Sequence, residues 1–172
     1  MQRTSDSYHP PEPGSNSRHE GTSVFTRTMH RSREFVFKRC TEAEHVACWW
    51  GPYHFTNPLC LWEARPGGHI LIYMRAPDGM EFRVTGSFHE VQEPERLVFT
   101  TRCFESSKGI WELEVLVTLI LTTVNEKTNL TLEATLMKAS AEFTAGFNTV
   151  YEGWNQSLNK LAALIHNNQQ TI

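Results

Sequence analysis

The chain has 172 residues, of which 40% are hydrophobic and 20% are charged, and its formal net charge is −3. This length fits one domain, and the composition is sufficient for a folded core. Because 19 Asp and Glu outnumber 16 Lys and Arg, the charge balance argues against a nucleic-acid binder that uses a broad basic face. The longest apolar stretch, Val115–Leu121, is too short to cross a membrane as a helix. We therefore expect neither nucleic acid nor a membrane among the partners.

The N-terminal segment 1–22 is rich in Ser, Pro, Gly and charged residues, and Met1 and Tyr8 are its only large apolar side chains. Such a segment cannot bury enough surface to offset the entropy that it would lose on ordering. We predict a disordered tail over 1–22 and one folded domain over 23–168. The tail has no apolar signal-peptide core, which favours a cytoplasmic protein.

The four cysteines show no CxxC pair and no histidine at zinc-finger spacing; they are Cys40, Cys48, Cys60 and Cys103. This pattern is typical of reduced, mostly buried thiols in a cytoplasmic protein. No cluster of His, Asp and Glu has the spacing of a metal site, and no glycine-rich loop leads into a helix. We therefore expect no metal and no other cofactor.

The folded part is predicted to begin with a strand over 23–30, in which alternate residues share a face. Arg33–Cys40 indicates a first short helix. Thr41, with a glutamate three residues later, forms a capping-box pattern and is the predicted N-cap of a second short helix that ends near Trp49. The Gly-Pro pair at 51–52 stops that helix.

From residue 55 to residue 137 the hydrophobic pattern changes to period two, with short turn sequences rich in Pro, Gly, Asn and Ser between the runs. Six strands are predicted, at 55–63, 69–75, 81–91, 96–104, 112–124 and 128–137. Because the links between them are short, consecutive strands must pair as an antiparallel meander.

A long C-terminal helix is predicted from a cap at Ser140 to about His166. Its apolar residues recur mainly at steps of three and four and so form one stripe: Phe143, Phe147, Val150, Tyr151, Trp154, Leu158, Leu161 and Ile165. A helix with one rich apolar face needs a sheet to lie on. The order of the elements therefore predicts an α+β fold.

Several short motifs follow one another along the chain: Arg33-Glu34-Phe35-Val36-Phe37, Trp49-Trp50-Gly51-Pro52, Arg65-Pro66-Gly67-Gly68, Pro77-Asp78-Gly79, Pro94-Glu95-Arg96-Leu97 and Gly153-Trp154. Their order and spacing resemble the SRPBCC superfamily, and more narrowly the group named for the activator of the 90-kDa heat-shock-protein ATPase. Over about 24–164 the resemblance implies the START-like helix-grip fold: a curved antiparallel sheet wrapped around a long C-terminal helix, two short helices after the first strand, and a cavity. The superfamily includes lipid carriers, polyketide cyclases and co-chaperone domains, so the resemblance implies no single reaction.

Strand alternation predicts which side chains face the long helix. The inner face is nearly all apolar, and small residues at Gly86, Ala134, Gly146 and Gly153 leave room between the sheet and the helix. Together with the resemblance, this pattern predicts a cavity for a small hydrophobic molecule. The side chains predicted to bind that molecule are Trp50, Ile72, Met74, Phe88, Phe99, Val117, Leu132, Phe143, Phe147, Tyr151 and Trp154.

Three functional interpretations stay open. The first is binding of a small hydrophobic ligand in this cavity, with bulky aromatic side chains filling the gap as the structural alternative. The second is a cyclase- or hydrolase-type enzyme acting on an apolar substrate; we favour it less, because the sequence offers no convincing inward catalytic residue. The third is a co-chaperone-like module that stimulates a partner ATPase, which would expose a large apolar patch.

Overall fold

The computed structural model describes residues 14–19, 21–141 and 147–167. Within these ranges the strands are β1 (Asn16–His19), β2 (Thr22–Met29), β3 (Thr56–Trp62), β4 (His69–Arg75), β5 (Glu81–Gln92), β6 (Arg96–Glu105), β7 (Trp111–Val124) and β8 (Lys127–Ala139). The helices are α1 (Arg33–Thr41), α2 (Ala43–Trp49) and α3 (Phe147–Asn167).

The described strands form one antiparallel sheet in the order β1-β2-β8-β7-β6-β5-β4-β3. The sheet is curved and unclosed, and α3 packs against it, which confirms the predicted α+β helix-grip fold. All six strands predicted after α2 are found, with ends that differ from the prediction by at most two residues. Because the links contain only two to six residues, consecutive strands must pair with each other in antiparallel fashion.

The core lies between the inner face of the sheet and the helices. The predicted alternation is confirmed, because the inward positions of the central strands are buried: Ile70, Ile72, Val84, Phe88, Leu97, Phe99, Val115, Val117, Leu119, Leu130 and Leu132. From α3 the core takes Trp154, Leu158, Leu161 and Ile165. Spacing of three and four places these side chains on one face of the helix.

The second short helix is capped differently from the prediction. At α1, the Ser32 hydroxyl accepts a hydrogen bond from the Phe35 N–H (3.3 Å). Thr41 is the last residue of α1, and its hydroxyl donates to the Phe37 carbonyl (2.9 Å) instead of capping the next helix. Glu42 is the N-cap of α2 and makes no side-chain capping bond, so the predicted cap at Thr41 is wrong. A Thr hydroxyl that returns to the carbonyl four residues earlier competes with the capping bond.

The C-terminal helix is described from Phe147 onward. The predicted start at Ser140 is followed by one helical residue, Ala141, and segment 142–146 lies outside the described residues. None of the described helices has the length and apolar character needed to span a bilayer.

A short strand, β1, lies within the segment 1–22 that the sequence analysis predicts to be a disordered tail. This strand pairs with β2, from Asn16 opposite Phe25 to His19 opposite Thr22. The Thr26 hydroxyl accepts from the Gly14 and Ser15 N–H groups, both at 3.0 Å. All four β1 residues are exposed, so the strand is held by polar contacts that a hydrophobic pattern does not reveal. Residues 1–13 lie outside the described residues.

Arg27 connects β1, β2 and α3. Its guanidinium donates to the side-chain carbonyls of Asn16 (3.0 Å), Asn155 (2.7 Å) and Asn159 (2.9 and 3.1 Å). Burial lowers the pKa of Arg27, although the group stays charged at neutral pH. These four hydrogen bonds from the charged guanidinium to neutral amide oxygens hold α3 against this edge of the sheet.

A chain that lacks residues 1–21 should be less stable, because it loses β1 and the Asn16 contact of Arg27. We expect a loss of about 1–3 kcal/mol, from several hydrogen bonds worth about 1 kcal/mol each. At about 2–4 °C per kcal/mol, Tm should fall by several degrees in differential scanning calorimetry. A chain that lacks only residues 1–12 keeps β1 and should melt like the full chain. Equal Tm values for all three chains would show that β1 adds nothing to stability.

The sequence suggested that Gly86 leaves room for a ligand. In the structure it does not. A Cβ built at this position would lie 2.0 Å from the Thr100 carbonyl oxygen, far inside van der Waals contact. Gly86 pairs with Thr101 in the β5–β6 ladder. The absence of a side chain there serves the close approach of two backbones. Gly153 differs, because a Cβ there would meet nothing within 4 Å.

Alanine at these two glycines should therefore have opposite effects. We expect Gly86→Ala to lower the free energy of unfolding by about 3 kcal/mol or more, since backbone must move to admit the methyl group. At Gly153, which lies within α3, the added methyl group would enter open space. Gly153→Ala should therefore raise the free energy of unfolding by about 0.5–1 kcal/mol. Urea unfolding followed by circular dichroism measures both. A Gly86→Ala protein with the wild-type midpoint would contradict this role for Gly86.

Candidate ligand-binding cavity

A cavity of about 130 Å³ lies between the first half of α3, the segment after α2 and the ends of strands β4 to β7. It is partly open, and its walls are almost entirely apolar. The lining residues are Trp50, Gly51, Pro52, Met74, Val84, Thr101, Cys103, Phe104, Leu113, Val115, Val150, Gly153, Trp154 and Ser157. Since these come from four strands, from α3 and from the segment after α2, the cavity exists only once all of these parts have packed.

Four residues of α3 form one wall: Val150, Gly153, Trp154 and Ser157. Their spacing of three, one and three places them on one face of the helix. Gly153 leaves that wall without a side chain, so its position is open space. The Ser157 hydroxyl lies 2.7 Å from the Gly153 carbonyl and 3.1 Å from the Gly51 carbonyl. Because its one proton is donated within the protein, this hydroxyl can offer a ligand only an acceptor oxygen.

Trp50 forms the corner where the segment after α2 meets α3. Its ring contacts Trp154 edge to face, at 5.1 Å between centroids, and Trp62 at 5.3 Å. Its carbonyl accepts from Asn57 Nδ2 (2.9 Å) and Lys160 Nζ (3.1 Å). Backbone and ring are thus both fixed, so the corner is rigid before any ligand binds.

Gly51 directly follows Trp50 and turns the chain along the cavity. Its φ of +84° lies in the left-handed region that favours glycine. A Cβ there would also lie 3.1 Å from the sulfur of Met74. The Gly-Pro pair predicted to stop α2 therefore also brings backbone to the cavity wall.

The lining of this cavity carries no carboxylate, imidazole, amine or guanidinium among the described residues. Its titratable group is the thiol of Cys103. Burial raises the pKa of Cys103 to about 12, so this thiol stays neutral at physiological pH. The electrostatic character of the cavity is therefore that of an uncharged, weakly polar site.

Three of the eleven side chains predicted to bind a ligand lie together at this cavity, namely Trp50, Met74 and Trp154. Five others do not line it but pack in the core: Ile72, Phe88, Phe99, Val117 and Leu132. For Phe88 and Phe99 the reason is an aromatic cluster, since both rings pack against Trp62, at 5.0 and 5.2 Å. That cluster fills the part of the interface where the sequence placed the ligand.

The remaining three predicted residues belong to α3 and the segment before it. The Tyr151 ring packs on Phe25 at 5.0 Å and lies under the Arg18 guanidinium at 3.6 Å, so it does not line the cavity. Phe143 and the side chain of Phe147 lie outside the described residues.

Sequence reasoning did not select most of the lining. Thr101 and Cys103 follow Phe99 at steps of two in β6, so strand parity places them on the same inner face and is the signal that identifies them. Phe104 was not detectable, because its left-handed backbone (φ +59°) breaks the alternation of that strand. Leu113 at the start of β7 was not detectable either, for another reason. Strand parity places it on the inner face, but the packing of α3 on the sheet decides which inner positions border open space.

One cluster of possible metal ligands lies elsewhere, at the start of α2. Ligand atoms of Glu42, Glu44 and His45 lie within 4.8 Å of one another. The Arg39 guanidinium lies 2.7 Å from Nε2 of His45, and the Glu42 carboxylate lies 2.9 Å from the same nitrogen. A cation already faces these groups, so the cluster is a local charge network rather than an open metal site.

An open antiparallel sheet that grips a C-terminal helix, with an apolar cavity between them, defines a helix-grip domain of the ligand-binding type. The family model described as "Activator of Hsp90 ATPase homolog 1-like protein" matches residues 30–166. The chain belongs to this family, which confirms the resemblance inferred from its motifs.

Solved structures of the same fold come from several bacteria. A protein from Staphylococcus epidermidis, solved by NMR, is 25% identical, with a TM-score of 0.71 over 90% of this chain and 94% of that one. A protein from Arthrobacter aurescens is 18% identical, with a TM-score of 0.77 over 89% and 91%. The AHSA1 protein from Silicibacter pomeroyi is 21% identical, with a TM-score of 0.73 over 86% and 99%. Among curated proteins, none matches this chain.

The thiols should differ sharply in reactivity toward iodoacetamide. Cys48 is exposed, whereas Cys103 is half-buried with a pKa near 12. Because only the thiolate reacts, we expect Cys48 to be alkylated first at pH 8 and Cys103 to react orders of magnitude more slowly than a free thiol of pKa about 8.5. The rate at Cys103 should rise about tenfold per pH unit below its pKa, until the protein unfolds.

Mass spectrometry of tryptic peptides separates the two sites. Alkylation of Cys103 as fast as that of Cys48 at pH 8 would show that the cavity is wetter, or more strongly charged, than its lining indicates.

Proposed function

We propose that this domain binds a small apolar molecule in the cavity between the sheet and α3. The observation that carries the proposal is the lining: about 130 Å³ of space for which the described residues supply aliphatic, aromatic, sulfur-containing and two hydroxyl side chains, none of them charged. Transfer of an apolar group from water into such a site is favourable by about 25 cal/mol per Å² of surface buried. A cavity with few polar groups binds water weakly, so a ligand displaces little tightly bound water.

The size of the cavity limits the part of a ligand that it can take. An engineered apolar cavity of about 150 Å³ in another protein stays dry and binds benzene. At about 130 Å³, this cavity fits one small ring or a short hydrocarbon chain. Drug-sized ligands occupy roughly 300–1,000 Å³, so a larger molecule would place only one end here.

The ligand-binding function is favoured over an enzyme, since general acid–base catalysis needs a titratable group at the reacting atoms. In this cavity the described lining offers only the Cys103 thiol, whose raised pKa makes it a poor nucleophile. The description of the family supports a chaperone partner as the second candidate. Leu59 and Leu61, on one face of edge strand β3, are 44% and 45% exposed and would be part of such a contact.

The proposed compartment is the cytoplasm. All four cysteines are free, and burial raises the pKa of Cys40, Cys60 and Cys103 to about 12, 11 and 12. Free, protonated thiols fit a reducing environment, in which no disulfide is needed for stability.

Benzene and 1-hexanol are suitable neutral probes of the cavity. A ligand that binds only the folded state raises its stability, by about 2.7 kcal/mol at one hundred times Kd. We expect each probe to raise Tm and to change tryptophan fluorescence, since Trp50 and Trp154 both border the cavity. Calorimetry and a fluorescence titration measure these effects.

Gly153→Leu is the variant that tests the position of the site. Its side chain would extend from the helix face that borders the cavity, where no atom lies within 4 Å. We expect the protein to fold and to lose the response to both probes. Ala163→Leu adds the same side chain at an exposed position of α3 and should respond like the wild type. Absence of any probe effect on the wild-type protein would refute the proposed function.

A further inference from the structure

The sheet is split at one end, between β5 and β6. The first three residues of β5, Glu81–Arg83, pair with β4. Their pairing with β6 begins only at Val84, opposite Cys103. Strand β6 nevertheless continues to Glu105, where it pairs with Trp111 of β7. At this end β5 and β6 therefore lie beside each other without backbone pairing, and a gap separates them.

A second cavity occupies this gap, with a volume of about 490 Å³. Its lining residues are Glu81, Phe82, Arg83, Phe104, Glu105, Ser106 and Glu112. We call it the outer cavity, and the apolar one described above the inner cavity. Phe104 lines both, so the two spaces adjoin at one side chain.

Phe104 is held in an uncommon conformation at this boundary. Its φ of +59° lies in the left-handed region, which bulky side chains rarely adopt. Its ring packs edge to face on Phe82, with 5.9 Å between centroids. The contact joins β5 to β6 where backbone hydrogen bonds are missing, so two aromatic side chains, rather than the sheet itself, separate the cavities.

The two cavities differ in charge. Among the residues that the structure describes, no charged side chain lines the inner cavity, whereas three carboxylates and one guanidinium line the outer cavity. Arg83 forms an ion pair with Glu105 across the split, and Glu81 accepts from Arg75 at 2.7 and 3.0 Å. Glu112 has no ion pair or side-chain hydrogen bond to any described residue. Within the described part of the chain, the Glu112 carboxylate therefore stays uncompensated at the outer end.

We propose that the ligand of this domain is an amphipathic cation, with a short apolar part in the inner cavity and an amine at its other end in the outer cavity, near Glu112. The inference rests on the proposed function and adds to it the chemical class of the ligand. An apolar space of about 130 Å³ that adjoins a larger acidic one fits a molecule with a hydrocarbon end and a positively charged end. For one molecule to occupy both cavities, the contact between the Phe82 and Phe104 rings must open, since these side chains and not a β5–β6 backbone ladder lie between the two spaces.

The test compares three six-carbon probes at pH 7: hexylamine, 1-hexanol and hexanoate. At this pH the amine is protonated and the carboxylate ionised. Kd values from tryptophan fluorescence at low salt should fall in the order hexanoate, hexanol, hexylamine. We expect hexylamine to bind at least tenfold more tightly than hexanoate. The difference should shrink as salt is added, since the outer cavity is open to solvent.

Glu112→Gln removes the uncompensated charge with little change of shape. In this variant the preference for hexylamine over hexanol should fall about three- to tenfold, while the Kd of hexanol stays the same. Glu126→Gln is the matched control, since it removes an exposed carboxylate in the turn between β7 and β8. That control should keep the wild-type preference.

The outcomes separate this inference from the proposed function. If hexanol binds but hexylamine binds no better than hexanoate, or if Glu112→Gln leaves the preference unchanged, the amphipathic-cation inference is wrong and the apolar site stands. If neither hexanol nor hexylamine binds the wild-type protein, the proposed function itself is wrong.

Discussion

The aromatic cluster around Trp62 determines how the space between the sheet and its helices is used. Phe88 and Phe99 pack on this ring from β5 and β6, and Trp50 packs on it from the segment after α2. The Trp62 indole donates to the Cys40 carbonyl at 3.1 Å, so its one polar atom is satisfied within the core. At this end the interface is filled. The cavity is what remains at the other end, beyond Trp50 and Trp154.

This division explains why a cavity can persist in a stable domain. An unfilled apolar space costs free energy, because the atoms that line it lose contacts. Here the loss is confined to one end, while the large rings at the other end and the buried residues of β6, β7 and β8 form much of the core. The cavity walls are themselves anchored: Trp50 by Asn57 and Lys160, and α3 by the Arg27 contacts to Asn155 and Asn159. A preformed site of this kind needs little ordering when it binds.

The fold was largely predictable from the sequence, because strand alternation and the stripe on α3 are local patterns that burial imposes on neighbouring residues. What failed were features that depend on specific contacts. Gly86 was predicted to leave space, but a sequence does not distinguish a glycine that faces a cavity from one that admits a close backbone. The β1 strand was missed because its four residues are polar and exposed. Thr41 matched a capping pattern but bonds backward along its own helix.

The site was less predictable than the fold for a related reason. Inward parity correctly placed Phe99, Thr101 and Cys103 on one face of β6, yet only the last two border the cavity. The difference lies in what stands opposite: Trp62 and Trp50 face Phe99, whereas the helix wall opposite the end of β6 includes Gly153. Parity states which side of the sheet a residue faces, and tertiary packing decides whether that side is filled. A change of lining at the ends of β5, β6 and β7 would therefore alter the shape of the cavity without disturbing the aromatic cluster, so the cavity can vary while the fold is kept.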